Sequence, residues 1–212
     1  MELDKLAIAE LDRVPRLRLI NALSGIKPAN LIGTVSTSGQ TNLAIISSVV
    51  HLGSDPALMA YICRPDTVPR HSLDNIKTTG SFTINHIHTD LIEKAHYTSA
   101  KFDRTVSEFD RCGLTSTFVE GIAAPFVAES RIRIGLALVE IMPIKHNGTF
   151  LVIGEINFIH VDDDLYSVNS EMDLSTFEGV GISGLNSYYG LTKLAEFPYA
   201  RVDETPDFKR EP

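Results

Sequence analysis

The period of apolar positions changes along the chain, and each change predicts an element. Leu3, Leu6, Ala7 and Leu11 recur at helical spacing, so residues 3 to 12 are expected to form an amphipathic helix. A second short helix is expected after Pro15, with Leu17, Ile20 and Leu23 on one face. From residue 29 the pattern turns strand-like. ANLIGTVST and TNLAIISSVV flank the Gly-containing SGQ and predict a hairpin, and ALMAYIC, after the turn-forming SDP, predicts a third strand. Ser72 is expected to open a short helix that stops near Gly80. SFTINHIH reads as a strand with Phe82, Ile84, His86 and His88 on one face and Thr83, Asn85 and Ile87 on the other. DLIEKAHY and VSEFDRC read as two helical pieces. RIRIGLALVEIMPI and TFLVIGEINFIHV flank KHNG, whose Asn-Gly pair is a strong hairpin signal.

The sum is five or six mostly antiparallel strands with short helices between them. Long hairpins that are partly apolar on both faces imply a closed or nearly closed barrel. Strands do not alternate with long helices, which argues against a doubly wound fold. At 212 residues the chain can bury a core without staples, and one large domain is the default.

Charge and cysteines narrow the classes. A formal net charge of −8 opposes a phosphate backbone and argues against nucleic-acid binding. Cys63 and Cys112 show no metal-ligand spacing and read as small buried residues in a reducing compartment. The N-terminal MELDKLAIAELDR lacks the pattern of a signal peptide, and no stretch approaches the ~18 apolar residues of a membrane span. A cytoplasmic protein is expected.

Four constellations offer chemistry. GVGISG, residues 179 to 184, matches GxGxxG, but no strand precedes it and no helix with a second strand follows, so a flexible loop is expected. His86 and His88 lie two apart on the predicted strand and could share a metal with His96 or Asp90; two ordinary strand histidines are the simpler reading. No GxSxG elbow supports a Ser-His-Asp hydrolase, since GISG is one residue short. RHSLDNI, residues 70 to 76, is different. A helix N-terminus carries unpaired N–H groups and partial positive charge, and Arg70 adds a fork of donors suited to phosphate. Ser72 could donate to the same anion or simply cap the helix, and on these residues alone the two readings stand level.

The order of segments resembles the flavin reductase-like family, whose members are FMN-binding split β-barrels and include flavoredoxins and the reductase partners of two-component monooxygenases. The resemblance begins at KPANLIGTVSTSGQTNLAIISSVVHLGSDPALMAYI, with a strand ending in VST, a Gly-containing turn and an N-L-A strand carrying serine. PRHSLDNI is similar to the family's P-K-D-T-L-x-N-I and GSFTINHI to its G-x-F-V-V-N. SAKF, EFDRCGLT, APFVAESRIRI, LVIGEINFIHVD and GLNSYYGL follow in family order. The domain expected from it spans residues 25–190, after an N-terminal helical extension of 1–24 and before a tail of 191–212.

The resemblance implies an antiparallel, Greek-key-type split barrel, mainly β with short helices, forming a homodimer with FMN at the interface. Asn42, Ala44, Ile46, Ser47 and Ser48 would line the isoalloxazine and ribityl chain, largely through backbone groups. Arg70 and Ser72 would hold the phosphate, with His71 in place of the family's acidic residue. Asn85, Ser99 and Lys101 would lie near the ribityl-phosphate. His160, at the end of a strand, could face a nicotinamide. The activity implied is NADH or NADPH passing hydride to flavin, with an electron acceptor or monooxygenase partner downstream. The run IISSVV stands where the family often has proline and aromatics. The rival readings are an FMN-binding electron carrier without a nicotinamide site, a metalloprotein using His86 and His88, and a flavin-free barrel that binds a small ligand.

Overall fold

The computed structural model describes residues 1–166 and 172–208. Its α-helices are α1 (Lys5–Glu10), α2 (Arg13–Ala22), α3 (His71–Thr79), α4 (Ile92–Tyr97) and α5 (Glu108–Cys112). The strands are β1 (Lys27–Pro28), β2 (Asn30–Val35), β3 (Thr41–Ile46), β4 (Val50–Ser54), β5 (Ala57–Cys63) and β6 (Ser81–His86). They continue with β7 (Ser116–Val119), β8 (Ile122–Val127), β9 (Ile132–Ile144), β10 (Thr149–Val161), β11 (Val180–Ser183) and β12 (Ser187–Gly190).

Seven strands make one sheet in the order β3-β2-β6-β9-β10-β5-β4, and every neighbouring pair is antiparallel. Its two edge strands, β3 and β4, are consecutive in the chain and joined only by Ser47–Val49. Four backbone steps reach about 14 Å at full extension, so the sheet must curl until its edges nearly meet. Ser48 fills the remaining gap. Its hydroxyl donates to the Ile62 carbonyl and accepts the Ile62 N–H, both at 3.1 Å, past the point where β4 ends its pairing with β5. The result is an antiparallel split barrel, the fold class expected from the sequence.

Opposite faces of the strands feed two cores. Inside the barrel, Ile32, Tyr61, Phe82, Ile84, Leu136 and Val152 pack with Leu73 and Ile76 of α3. Outside, Leu31, Leu43 and Val127 pack with Leu91 and Ala95, with Phe109 of α5 and with Val180 and Ile182 of β11. Helix α3 stops where expected, with Gly80 left-handed at φ 67° and its N–H bonded to the Ile76 carbonyl at 2.9 Å.

Several elements differ from the sequence reading. TNLAIISSVV is not one strand: the chain leaves β3 at Ile46 and begins β4 at Val50. The pair β7–β8 was missed because its strands are short and Pro125 interrupts the second. GVGISG is not a loop. Most of it is β11, paired with β1 and β12, and among the described residues no α-helix follows it as a dinucleotide fold requires. His86 is the last residue of β6, and His88 lies beyond the strand in a bridge with Gly179.

The second layer fixes one glycine by close approach. A Cβ at Gly33 would stand 2.2 Å from the Pro125 carbonyl oxygen and 2.5 Å from Thr83 Oγ1. That hydroxyl already bonds the Pro125 carbonyl at 2.6 Å, so β8 sits directly on β2 and β6. Gly33→Ala should destabilise the fold by about 1–3 kcal/mol through overpacking. Gly53→Ala, whose nearest neighbour would be 3.5 Å away, should stay within about 1 kcal/mol in urea titrations. Equal losses would contradict this packing.

Candidate functional site

The free edge of β3 is sealed by side chains. Thr41 Oγ1 lies 2.7 Å from Ser107 Oγ, the Leu43 N–H donates to the Glu108 carboxylate at 2.9 Å, and the Ile45 N–H donates to Thr98 Oγ1 at 2.9 Å. α5 thus supplies one acceptor, and Thr98, at the C-terminal end of α4, supplies the next. Because ladder bonds alternate, the N–H groups of Asn42, Ala44 and Ile46 turn inward to β2. They are not free to meet a ring, contrary to the expectation from the sequence. The backbone that lies outside both ladders is that of Ser47–Val49.

The first turn of α3 abuts this strand. Arg70, not Ser72, occupies the N-cap position, and no side chain caps the helix. Ser72 lies one position into the helix, and its oxygen accepts a bond from Asn42 Nδ2 at 2.8 Å. That bond leaves the Ser72 O–H proton for another acceptor. Asn42 also reaches Thr34 Oγ1 at 3.4 Å, and Asn75 Nδ2 donates to the same oxygen at 3.1 Å. Arg70 Nε donates to the Pro65 carbonyl at 2.9 Å, which anchors the guanidinium while its terminal nitrogens stay available. The first turn therefore presents uncapped N–H groups, a hydroxyl and a guanidinium.

Three of the acidic groups nearby have identifiable surroundings. Asp74 pairs with Arg104 at 3.6 Å. The Thr105 N–H and hydroxyl hold the Asp103 carboxyl below its ordinary pKa, and the charge of His71 adds to this. Burial pushes Glu108 above the ordinary carboxylate value, against the Leu43 N–H, its own N–H and His71. His71 thus faces Asp103 and Glu108.

The other expected residues divide. Ser99 and Lys101 are exposed and follow Thr98 beside the β3 edge, with Ser99 Oγ bonded to the His96 carbonyl at 2.7 Å. Asn85 is fully buried and spends its amide on Leu31 O, Thr83 Oγ1 and the Val127 N–H, so it braces β2, β6 and β8 instead of facing a ligand. His160 is remote. The registers run Ile45–Leu31–Asn85–Arg133–His160, four ladder steps or about 19 Å around the sheet. His160 bonds Asp162 at 3.1 Å, and Asp162 also accepts from Arg131 at 3.0 Å. Although burial opposes it, these two bonds hold the Asp162 carboxyl below its ordinary value.

The histidines whose spacing could suit a metal have other engagements. His86 and His88 both approach the ring of Phe177, and burial pushes His86 down to about 4. His88 Nε2 lies 3.1 Å from the Glu129 carbonyl, and His96 Nδ1 lies 2.9 Å from the Tyr188 hydroxyl. Among the described residues no three His, Cys, Asp or Glu side chains cluster as a metal site.

Residues 26–173 match the family described as flavin reductase like domain. The chain belongs to that family. A flavin reductase-type protein with a split barrel domain from Shewanella frigidimarina NCIMB 400 superposes with a TM-score of 0.90 at 47% identity, covering 94% of this chain and 100% of that one. Nitrilotriacetate monooxygenase component B from Bacillus cereus gives a TM-score of 0.83 at 19% identity, covering 93% and 98%. Flavoredoxin of Desulfovibrio vulgaris (Miyazaki F) gives 0.72 at 21%, covering 83% and 92%. The two more distant likenesses are of fold.

Thr98, Ser107 and Glu108 had no signal in the sequence. Each meets β3 from more than fifty residues away, and nothing local marks a carboxylate as the partner of a strand edge. Glu108→Ala would orphan the buried Leu43 N–H and should cost about 1–3 kcal/mol, whereas Glu108→Gln keeps an acceptor. A carboxyl raised in the folded state binds its proton more tightly there than when unfolded. Its contribution therefore falls as pH rises through and above 4.5, and Glu108→Gln should gain stability relative to wild type between about pH 4 and pH 7. Parallel urea midpoints across that range would contradict a desolvated carboxyl at the edge.

Proposed function

We propose that this chain is an FMN-dependent oxidoreductase that takes electrons from NADH or NADPH and acts as a homodimer. Membership of the flavin reductase-like family supports flavin-linked redox chemistry in general. The observation that carries the finer reading is the uncapped first turn of α3, where Arg70 and Ser72 offer donors that no group among the described residues takes up. That donor set fits a phosphate monoester.

In this reading the terminal nitrogens of Arg70, the Ser72 hydroxyl and the N–H groups of the first turn hold the FMN phosphate. Asn42 orients Ser72 by occupying its oxygen. Asp74 is offset by Arg104, so it opposes the anion less than its position suggests. Ala44 and Ile46 share Asn42's face of β3 and offer apolar surface to the ring system, while the backbone of Ser47–Val49 faces its polar edge. The hydroxyl of Ser48 is committed to Ile62 and leaves only its backbone for this purpose. Lys101 stands as a further donor at the β3 edge, whereas the Ser99 hydroxyl proton is spent on the His96 carbonyl.

FMN, when bound, supplies the electron transfer between nicotinamide and acceptor, which is why no acid–base dyad is required of the chain. The chain's part is to fix the phosphate, orient the ring and govern access.

Arg70→Ala removes charge-assisted bonds to the phosphate and should weaken FMN binding about 10- to 100-fold in fluorescence titrations. Anaerobic addition of NADH or NADPH to the FMN complex should bleach the flavin absorbance. A chain that stays colourless after incubation with FMN would overturn the reading. One that binds FMN but is bleached by neither nucleotide would be a carrier and not a reductase.

A further inference from the structure

Both ends of the chain hold apolar side chains that the rest of it leaves in water. No residue of α1 or α2 is buried, and Leu17 and Ile20 of α2 are 42% and 49% exposed. From residue 191 to residue 208 the chain runs without regular structure except for a single turn at Val202–Glu204. Leu194, Phe197, Tyr199, Val202 and Phe208 in this arm are 81–96% exposed. One exposed apolar residue is ordinary, but five along one extended arm are a surface that needs a partner. A helix as short as α2 is not self-supporting in water either.

α2 and the β11–β12 hairpin enclose an open groove of about 640 Å³. Val14, Leu17, Leu185 and Tyr189 give it apolar walls, and Arg13 and Arg18 also line it. Neither arginine forms an ion pair among the described residues. α2 carries Arg13, Arg16 and Arg18 and no acidic residue. In the arm, Lys193 pairs with Glu196 and Arg201 with Glu204, which leaves Asp203 and Asp207 as its surplus negative charge. Groove and arm are therefore complementary in both polarity and sign.

We propose that residues 191–208 of one protomer lie in the α2 groove of a second copy of this chain, and reciprocally. The proposal rests on the homodimer part of the reading above and goes beyond it by naming what holds the dimer. The arm leaves Gly190 beside its own groove, which Tyr189 lines, yet its large side chains stay exposed, so its own chain does not receive it. A two-fold axis makes each arm–groove contact occur twice. Three aromatic and two aliphatic side chains bring roughly 800 Å² per arm, and two arms reach the area of a standard stable interface.

The test uses the full chain and sedimentation velocity. Phe197→Ser combined with Tyr199→Ser strips the arm of apolar surface without changing its charge, and Leu17→Asp alters the groove; all three positions are exposed in the single chain, so circular dichroism should be unchanged. Each variant should raise the dimer dissociation constant at least tenfold. Mixing the arm variant with the groove variant restores one intact arm–groove pair per dimer, so differently tagged chains should form heterodimers in excess of either homodimer. A monomeric wild type would overturn both this proposal and the homodimer reading. A wild-type dimer that the variants leave intact would overturn the proposal alone. So would weakening without heterodimer enrichment, because the arm would then dock within its own chain.

Discussion

The three residues Ser47–Val49 are the constraint on which the rest of the barrel depends. They join the two edges of a seven-stranded sheet, and so short a link forces the sheet to curl almost shut without letting the edges pair. Everything near the split follows from that incomplete closure. Ser48 supplies by its side chain the ladder bonds that Ile62 would otherwise lack. The β3 edge is covered by Thr98 and Glu108, which removes a row of backbone groups that would otherwise template aggregation. Helix α3 fills the interior with Leu73 and Ile76, and its first turn is thereby held against Asn42 at the split.

Burial and hydrogen bonding then sort the polar groups there into structural and available ones. Glu108 is buried, bonded to a strand N–H and raised in pKa, which marks it as part of the scaffold. Asn85 is likewise consumed, by three bonds inside the wall. Arg70 and Ser72 differ because each has one bond that fixes its position and donors left over. That combination of anchored group and unused donor is what a binding site needs, since the ordering is already done before a ligand arrives. It is also why the chain can serve redox chemistry while offering no catalytic dyad of its own.

Much of this was legible in the sequence, for physical reasons. The Asn-Gly turn and the long alternating runs on either side gave β9 and β10, and Gly80 gave the stop of α3. Arg70 and Ser72 were found because helix N-termini have a recognisable chemistry. What local pattern could not give was which face is buried twice. Thr83 and Asn85 share the strand face of Ile87, and local pattern does not show that a second layer built on β8 buries them completely. Nor could it give distances between strands. His160 was assigned from its place at a strand end, and only the ladder registers put four steps between it and β3. GVGISG misled in the other direction, since its glycines suggested a loop where close packing against Ile26 explains Gly181 within β11.

The central claim is that the uncapped turn of α3 is a phosphate socket, and the most direct measurement compares two ligands that differ only there. Isothermal titration of the wild-type chain with FMN and with riboflavin isolates the phosphate while leaving the ring system the same. FMN should bind at least about tenfold more tightly, the advantage expected of charge-assisted bonds from Arg70, Ser72 and the helix N–H groups. Equal affinities would contradict the account, because the first turn of α3 would then be a solvated helix end with no part in holding the flavin.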